Sequence, residues 1–362
     1  MMKQIAYLCL SKGWGGLEMN QLRSAKAMQD RGHQVLMIGQ KNSPIIQNAK
    51  RLNIPYYIVD KKPGHYQWLL AWRISRIILR KGFDNLIFRN NREMSLAASI
   101  AFFAFGKIRV HYFMEMALGG TRNQWFRTLR YSYFSTWVCP LPYLAVQVKQ
   151  NAKINPEKIK QIPSGLQFEK YFEVTRLEAR KALQWPLNSK LLVVVGRIDR
   201  KKRQDFVWEM FSKRQESEEY LIFVGSSTAD EPDTFEKELR LKISAHPKGN
   251  RVIWAGFIED MSAVYAAADL IIMPAAFETF GMATLEALYA NCPVVGANNG
   301  GSAELIDIYG GGKLFNYKSA TALSEGINQV LSNNYPLAKR EEIEQHFDFN
   351  AVCMRIENEV LK

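Results

Sequence analysis

The sequence predicts an α/β protein built as two doubly wound, Rossmann-like domains facing across a cleft, and three observations carry that prediction. Short, continuous apolar runs such as Leu191 to Val195 recur along the 362 residues, and each has the character of a parallel strand covered on both faces. Many of them end in a glycine turn that feeds apolar residues at helical spacing, the strand–turn–helix order of a parallel sheet. The alternation is interrupted once, near residue 165, and a chain this long and 47% hydrophobic can fill two cores. The expected divisions are residues 1–168, residues 169–345 and a final helix over 346–362.

Composition narrows the class further. Cys9, Cys139, Cys292 and Cys353 show no C-x-x-C pairing, and three of them sit in or beside apolar runs. They read as reduced, buried thiols of a cytosolic protein rather than a disulfide or zinc framework. The apolar run Ile5 to Leu10 is too short for the core of an export signal and leads straight into a glycine turn, so it reads as a first strand. No apolar segment approaches the ~20 residues needed to span a bilayer, so any membrane contact is expected to be peripheral. The net charge of +13 is unevenly placed: residues 1–170 carry 26 Lys+Arg against 8 Asp+Glu, the remainder 22 against 27. A strongly basic first half points to a polyanion or an anionic lipid surface as its partner.

In order along the first half, Ile5 to Leu10 is a strand, and Gly13-Trp14-Gly15-Gly16-Leu17-Glu18 turns into a helix with Leu22, Ala25 and Met28 on its inner side. That layout suits a phosphate cradle, although the spacing is not the G-x-G-x-x-G dinucleotide pattern. Val35 to Ile38 is the second strand, with His33 in the turn before it, and Tyr56 to Asp60 the third. The helix expected over His65 to Lys81 buries Leu70, Ile74, Ile77 and Ile78. It also carries Trp68 and Trp72 near its start and Arg73, Arg76 and Arg80 on another face. A solvated basic face and an interfacial patch fit these residues equally well, and the charge asymmetry favours the membrane or an anionic acceptor. Asn85 to Arg89 reads as a strand, Ser95 to Phe105 as a buried helix, and Arg109 to Met114 as a strand ending at Glu115 before Gly119-Gly120. Ligands of α/β sheets sit outside the carboxyl ends of strands, which puts Glu115 forward and leaves His111 packed inside its strand. Arg122 to Trp137 reads as a second aromatic and basic helix, with Trp125, Phe126, Arg127, Arg130, Tyr133 and Phe134 adding to the patch.

In the second half, the run Leu191 to Val195 ends in Gly196-Arg197-Ile198-Asp199-Arg200-Lys201-Lys202-Arg203, a cationic loop at a strand end that suits a diphosphate. Tyr220 to Val224 with Gly225, and Arg251 to Trp254 with Gly256 and Phe257, are further strands and turns. Residues 274–296, PAAFETFGMATLEALYANCPVVG, follow as strand end, turn, helix and next strand. Glu278 lies in its turn and Glu286 in its helix, so both can serve a ligand over the helix start, where unpaired N–H groups favour phosphates or sugar hydroxyls. Small Ala283, Ala287 and Ala290 beside Glu286 argue against a merely solvated face. Asn299-Gly300-Gly301-Ser302 is another glycine turn opening a helix.

The two glutamates eight apart around Phe280-Gly281, followed by Cys292-Pro293-Val294-Val295, resemble the donor-site motif of the retaining GT-B glycosyltransferases of family 4. Arg197 and Lys202 match the Arg and Lys that clamp the diphosphate in that family, with Arg203 standing where Gly is usual. Gly15, Gly16 and Glu18 resemble its GG-x-E loop, Gly256 and Phe257 its base-reading loop, and Ile162-Pro163-Ser164-Gly165 its join between domains. The resemblance implies a GT-B fold whose first domain holds the acceptor, whose second binds a nucleotide sugar, UDP-sugar foremost, and whose last helix returns to the first domain. It also implies a metal-independent transferase with no cofactor beyond the nucleotide sugar. Arg197, Lys202, Glu278 and Glu115 are then the expected catalytic residues. Gly15, Gly16, Glu18, Gly256, Phe257, Phe280, Gly281, Met282, Glu286, Gly300 and Gly301 are the expected substrate contacts. The acceptor expected from the charge is an anionic, lipid-linked glycan such as a lipopolysaccharide core, reached from the cytoplasmic face of the plasma membrane, and no nucleic acid is expected. A nucleotide-sugar epimerase on the same fold and a non-enzymatic polyanion-binding protein are the alternatives.

Overall fold

The computed structural model describes residues 2–60, 67–116, 125–171, 174–227, 234–332 and 335–361, with the side chains of 125–127 and 170 outside the description. The chain divides into two compact units, Met1–Gly165 with Phe349–Lys362, and Leu166–Asp348.

The first unit begins β1 (Gln4–Cys9), α1 (Gly16–Asp30), β2 (Gln34–Gln40), α2 (Pro44–Arg51), β3 (Tyr56–Val59), α3 (Trp68–Arg80) and β4 (Asn85–Phe88). It continues α4 (Met94–Phe103), β5 (Arg109–Phe113), α5 (Trp125–Ser132), β6 (Phe134–Cys139), α6 (Pro142–Asn151) and β7 (Ile159–Gln161). The sheet is parallel, in the order β3-β2-β1-β4-β5-β6-β7, so its order reverses between β1 and β4. Strand side chains alternate faces, and both faces are covered. Ala6, Leu8 and Leu10 pack with α3 and α4, whereas Ile5, Tyr7 and Cys9 pack with α1, α2 and the end of the chain.

The second unit runs α7 (Arg176–Leu183), β8 (Lys190–Val195), α8 (Gln204–Lys213), β9 (Glu219–Val224), α9 (Thr234–Ser244), β10 (Val252–Gly256) and α10 (Met261–Ala267). Then come β11 (Leu270–Met273), α11 (Met282–Tyr289), β12 (Val294–Ala297), α12 (Gly301–Tyr309), β13 (Gly312–Phe315), α13 (Ala320–Leu331) and α14 (Arg340–Phe347). Its parallel order is β10-β9-β8-β11-β12-β13, reversing between β8 and β11. Local signals start its helices where the sequence places them: Thr175 and Glu178 form a reciprocal capping box on α7, and Asp260 and Ser319 cap α10 and α13. After α14 the chain re-enters the first unit as α15 (Phe349–Arg355) and a π-helical turn, whose Val352, Cys353, Ile356 and Val360 join the core beneath α1.

Both sheets are thus the doubly wound type. Two local expectations are corrected. The helix expected through Trp137 stops at Ser132, and Phe134–Cys139 is strand β6, paired to β5 on one side and β7 on the other. Phe134, Trp137, Val138 and Cys139 are buried, and filling a gap between two strands outweighs the local helical spacing. The helix expected to be buried through Phe105 ends at Phe103, and although Ala104 is still buried, Phe102 and Phe105 are exposed. His65, Gly119, Gly120, Arg122 and the side chains of Trp125, Phe126 and Arg127 lie outside the described residues. Among the described residues no helix is long and apolar enough to cross a membrane. All four cysteines are buried free thiols, and burial raises each of their pKa values, that of Cys139 and Cys292 to about 12.

Candidate functional site

The order of the second sheet reverses between β8 and β11, and a crevice for ligands opens at such a reversal, beyond the carboxyl ends of the strands. Three neighbouring strands there end in positive-φ glycines, Gly196, Gly225 and Gly256. The main chains lie edge to edge: Gly196 N donates to Val224 O at 2.9 Å and Gly225 N to Gly256 O at 2.7 Å. A Cβ at Gly225 would stand 2.1 Å from Gly196 O, so only glycine fits this closeness. Phe257, next in the chain after Gly256, is exposed.

The cationic loop after β8 is shaped by Asp199, whose Oδ1 accepts from the N–H groups of Lys201 and Lys202 at 2.8 and 3.1 Å. Its Oδ2 lies 3.4 Å from the half-exposed Arg197 guanidinium. Lys202 lays its methylenes on Gly196 and donates from Nζ to Glu278 Oε2 at 2.6 Å. The loop after β8 and the loop after β11, the strands on either side of the reversal, are therefore joined by an ion pair. Arg203 takes the left-handed conformation at φ 57 that a glycine would adopt without cost. Its guanidinium reaches the carbonyls of Pro274 and Tyr317 and lies 4.1 Å over the Phe206 ring, so the residue that departs from the family pattern ties three loops together.

Beyond β11 the main chain of Glu278 pairs with Gly300, and Gly301 N donates to Glu278 O at 2.6 Å. Gly281 (φ 89) and Gly300 (φ 77) precede α11 and α12, and neither helix start has a side-chain cap. A Cβ at Gly301 would come within 2.3 Å of Phe280 O, and one at Gly281 within 3.0 Å of Ser302 Oγ. Thr284 and Ser302 close the seam with a 2.7 Å hydroxyl bond. Two helix N-termini therefore lie side by side, each presenting N–H groups and a partial positive charge, which favours an anionic or hydroxyl-rich ligand. On α11, Met282, Ala283 and Glu286 share a half-buried stripe. Glu286 Oε2 accepts from the buried Tyr265 hydroxyl at 2.7 Å, and burial, then the Glu286 charge, hold the Tyr265 pKa well above its ordinary value.

In the first unit the sheet order reverses between β1 and β4, and side chains fill that edge. Glu115, two residues past β5, is paired with the guanidinium of Arg89, the first residue after β4. Asn20 on α1 donates to both its oxygens at 3.1 and 3.3 Å, and Arg23 in turn donates to Asn20 Oδ1 at 2.9 Å. Gly15 caps the start of α1, Gly16 opens it, and Glu18 in its first turn is buried. Glu93, fully buried after β4, accepts from Leu10 N. Burial first, then the nearby Glu18 charge, raise its pKa from 4.5 to about 8, against the pull of the Leu10 N–H. His111 lies inside the sheet with Nε2 3.1 Å from Asn85 Oδ1, and burial, then Arg109, lower its pKa to about 3, so its imidazole is neutral.

Of the residues the sequence put forward, Lys202, Glu278, Phe280, Gly281, Gly300 and Gly301 form one connected group, and Gly256 belongs to the adjoining glycine edge. Arg197 shares the Lys202 loop. Glu286 accepts from the Tyr265 hydroxyl. Glu115 gathers Asn20, Arg23 and Arg89, which carry no local motif. Arg89 closes a strand run and was open to the same strand-end reasoning as Glu115; Glu93 is a lone acid in a basic stretch, and nothing local announces its burial.

Residues 175–346 match the family model for glycosyl transferases group 1, and residues 14–170 match that for glycosyltransferase family 4. The chain has the GT-B fold, and a glycosyltransferase model matches each of its two halves. Its fold is similar to that of Anabaena HepE solved with UDP and glucose, at a TM-score of 0.82 and 19% identity over 98% of both chains. Among curated relatives, this GT-B chain is 27% identical over 164 residues to mannosylfructose-phosphate synthase of Agrobacterium fabrum, covering 43% of the chain and 36% of that enzyme. It is 29% identical over 140 residues to the lipopolysaccharide core biosynthesis mannosyltransferase LpsB of Rhizobium meliloti, covering 38% and 39%. The matches span less than half the length of these two relatives.

Proposed function

We propose that the chain is a retaining glycosyltransferase that moves a sugar from a nucleotide diphosphate sugar, UDP-sugar foremost, to a hydroxyl of an anionic, membrane-associated glycan such as a lipopolysaccharide core. The observation that carries the reading is the strand-end cradle of the second unit, where a cationic loop and two uncapped helix starts converge on Glu278. In this reading the bond from the anomeric carbon to the diphosphate breaks, and a bond to the acceptor oxygen forms on the same face. The acceptor proton passes to the leaving phosphate, so Glu115 is not required as a base. Arg197, Lys202 and the helix-start N–H groups meet the charge that grows on the diphosphate, placed before the reaction begins. Glu278 and the Phe280–Met282 main chain hold the sugar, and Glu286, oriented by Tyr265, holds the ribose hydroxyls. The nucleotide sugar is a co-substrate, and no resident cofactor enters the scheme.

The likeness to a fold solved with UDP supports the donor class, and the likeness to LpsB supports the acceptor class. The basic first half supports an anionic acceptor at the inner face of the plasma membrane. The first test is thermal stabilisation by a panel of nucleotide sugars, because a ligand that binds only the folded chain raises the melting point. Stabilisation by a UDP-sugar that is lost in Arg197→Ala is the expected result; full turnover in Arg197→Ala would sink the clamp. Nucleotide release that appears only when acceptor is added separates transfer from epimerisation.

A further inference from the structure

We propose that Trp68, Trp72, Phe102, Phe105 and Tyr133 form one aromatic ridge on the first unit that enters an anionic lipid surface, with Phe105 as the leading residue. The proposal rests on the membrane reading above and names the element that makes the contact. Packing of α3 against α4 brings Trp68 to Phe102, which also meets Tyr133; Trp72 follows one turn along α3, and Phe105 stands two residues past the end of α4. Trp68 lies edge-on to Phe102 and Phe103 at 6.1 and 5.9 Å, and Phe102 meets Phe103 at 5.3 Å and Tyr133 at 6.0 Å. These rings are not a buried cluster. Trp68 is 50% exposed, Trp72 and Phe102 46%, and Phe105 88%.

Phe105 is the most telling of them. It stands at φ 51 in the left-handed region, followed by Gly106 at φ 77, in the turn that leaves α4. A bulky aromatic side chain there is strained, and its ring lies in water; glycine or asparagine would serve the turn better. Strain and exposure at one residue, with no packing gain, are costs the fold has no use for unless the ring leaves water elsewhere.

Charge says where it goes. On α3, Trp68, Trp72, Arg76 and Arg80 recur every four residues, so rings and guanidinium groups share one helix face. The Arg76 guanidinium lies 6.0 Å over Trp72. Arg73, Lys81 and Lys107 are also exposed. Between residues 67 and 109 the carboxylates are Asp84, which is paired with Arg109, and Glu93, which is buried. Aromatic rings flanked by cations, with almost no acid, match the headgroup layer of an anionic leaflet. The same excess of like charge works against pairing with a second copy of this face.

The test is co-sedimentation of the full chain with vesicles of phosphatidylcholine alone and of equal parts phosphatidylcholine and phosphatidylglycerol, alongside thermal melts without lipid. The wild type is expected to bind the anionic vesicles in preference. Phe105→Gly is expected to weaken that binding about tenfold while raising the melting temperature, since it removes both the exposed ring and the strain. A merely structural residue would move both in the same direction. Stabilisation by nucleotide sugar should be unchanged in this variant. If the wild type binds neither vesicle, the membrane reading fails and the ridge with it. If the wild type binds and Phe105→Gly binds equally, the ridge fails and the membrane reading stands. A lipid-free dimer that Phe105→Gly disperses would assign the ridge to a second copy and overturn the proposal.

Discussion

At the carboxyl edge of the second sheet, three strand-end glycines and two helix starts push main-chain groups forward, and the side chains among them remain partly open to solvent. At the same edge of the first sheet, side chains fill the space instead: Arg89 grips Glu115, Asn20 bridges to it, and Glu93 is sealed from water. Both edges lie at a reversal of strand order, so the fold offers the same crevice twice. The difference lies in what occupies it. The uncapped helix-start N–H groups of the second edge can take a ligand directly, whereas the first edge is closed by side chains paired with one another and acts as a fixed frame.

Breaking that frame should give the largest effect. Arg89→Ala would leave the Glu115 carboxylate largely buried and without its ion-pair partner, and a loss of about 3–5 kcal/mol is expected in denaturant unfolding. A loss below 1 kcal/mol would show the first edge to be as open as the second. At the second edge, Lys202→Ala should lower turnover by about 10²–10³, as removal of one preorganised donor does, with little change in melting temperature. Equal losses of activity and stability would mean that Lys202 mainly holds Glu278 in place.

Glu93 sharpens the contrast through pH. Its pKa is raised from 4.5 to about 8, so between these values the folded chain carries a proton that the unfolded chain has released. Its contribution to stability is therefore full below about pH 4.5 and falls away as pH rises towards 8. Glu93→Gln cannot ionise and should remove that slope, gaining on the wild type by an amount on the order of a few kcal/mol by pH 8. Urea unfolding across the window measures it, and parallel slopes in the two proteins would refute the assignment. The smallest effect is expected at Arg203. Arg203→Gly should be more stable than Arg203→Ala by about 1 kcal/mol, because only glycine takes φ 57 freely. Both should weaken donor binding if the Arg203 strap sets the loop, and thermal shift with a UDP-sugar reads that difference.

These contrasts also explain which parts were legible in advance. The strand-end glycines, the cationic loop and the helix starts around Glu278 each lie in one short run between a strand and the next helix, so each piece of the backbone cradle shows locally. The Glu115 frame draws on Asn20, Arg23, Arg89 and Glu115 from three separate parts of the chain, and no local pattern marks such a set. Strand β6 was hidden for a related reason. Its aromatic and apolar residues also fit a helical stripe, and only the vacancy between β5 and β7 decides for a strand.

The sequence by itself determined the two doubly wound sheets, because buried parallel strands must be continuously apolar and their turns must be rich in glycine. It also marked the separate pieces of the second edge, since Arg197 with Lys202, Glu278 with Gly281, and Gly300 with Gly301 each fall within one short run. Tertiary structure alone decided that Lys202 pairs with Glu278, that Arg203 accepts a left-handed backbone to tie three loops, that Phe102 lies beside Trp68, and that Phe105 stands exposed. Each of these depends on distances between segments remote in sequence, and local periodicity carries no information about them.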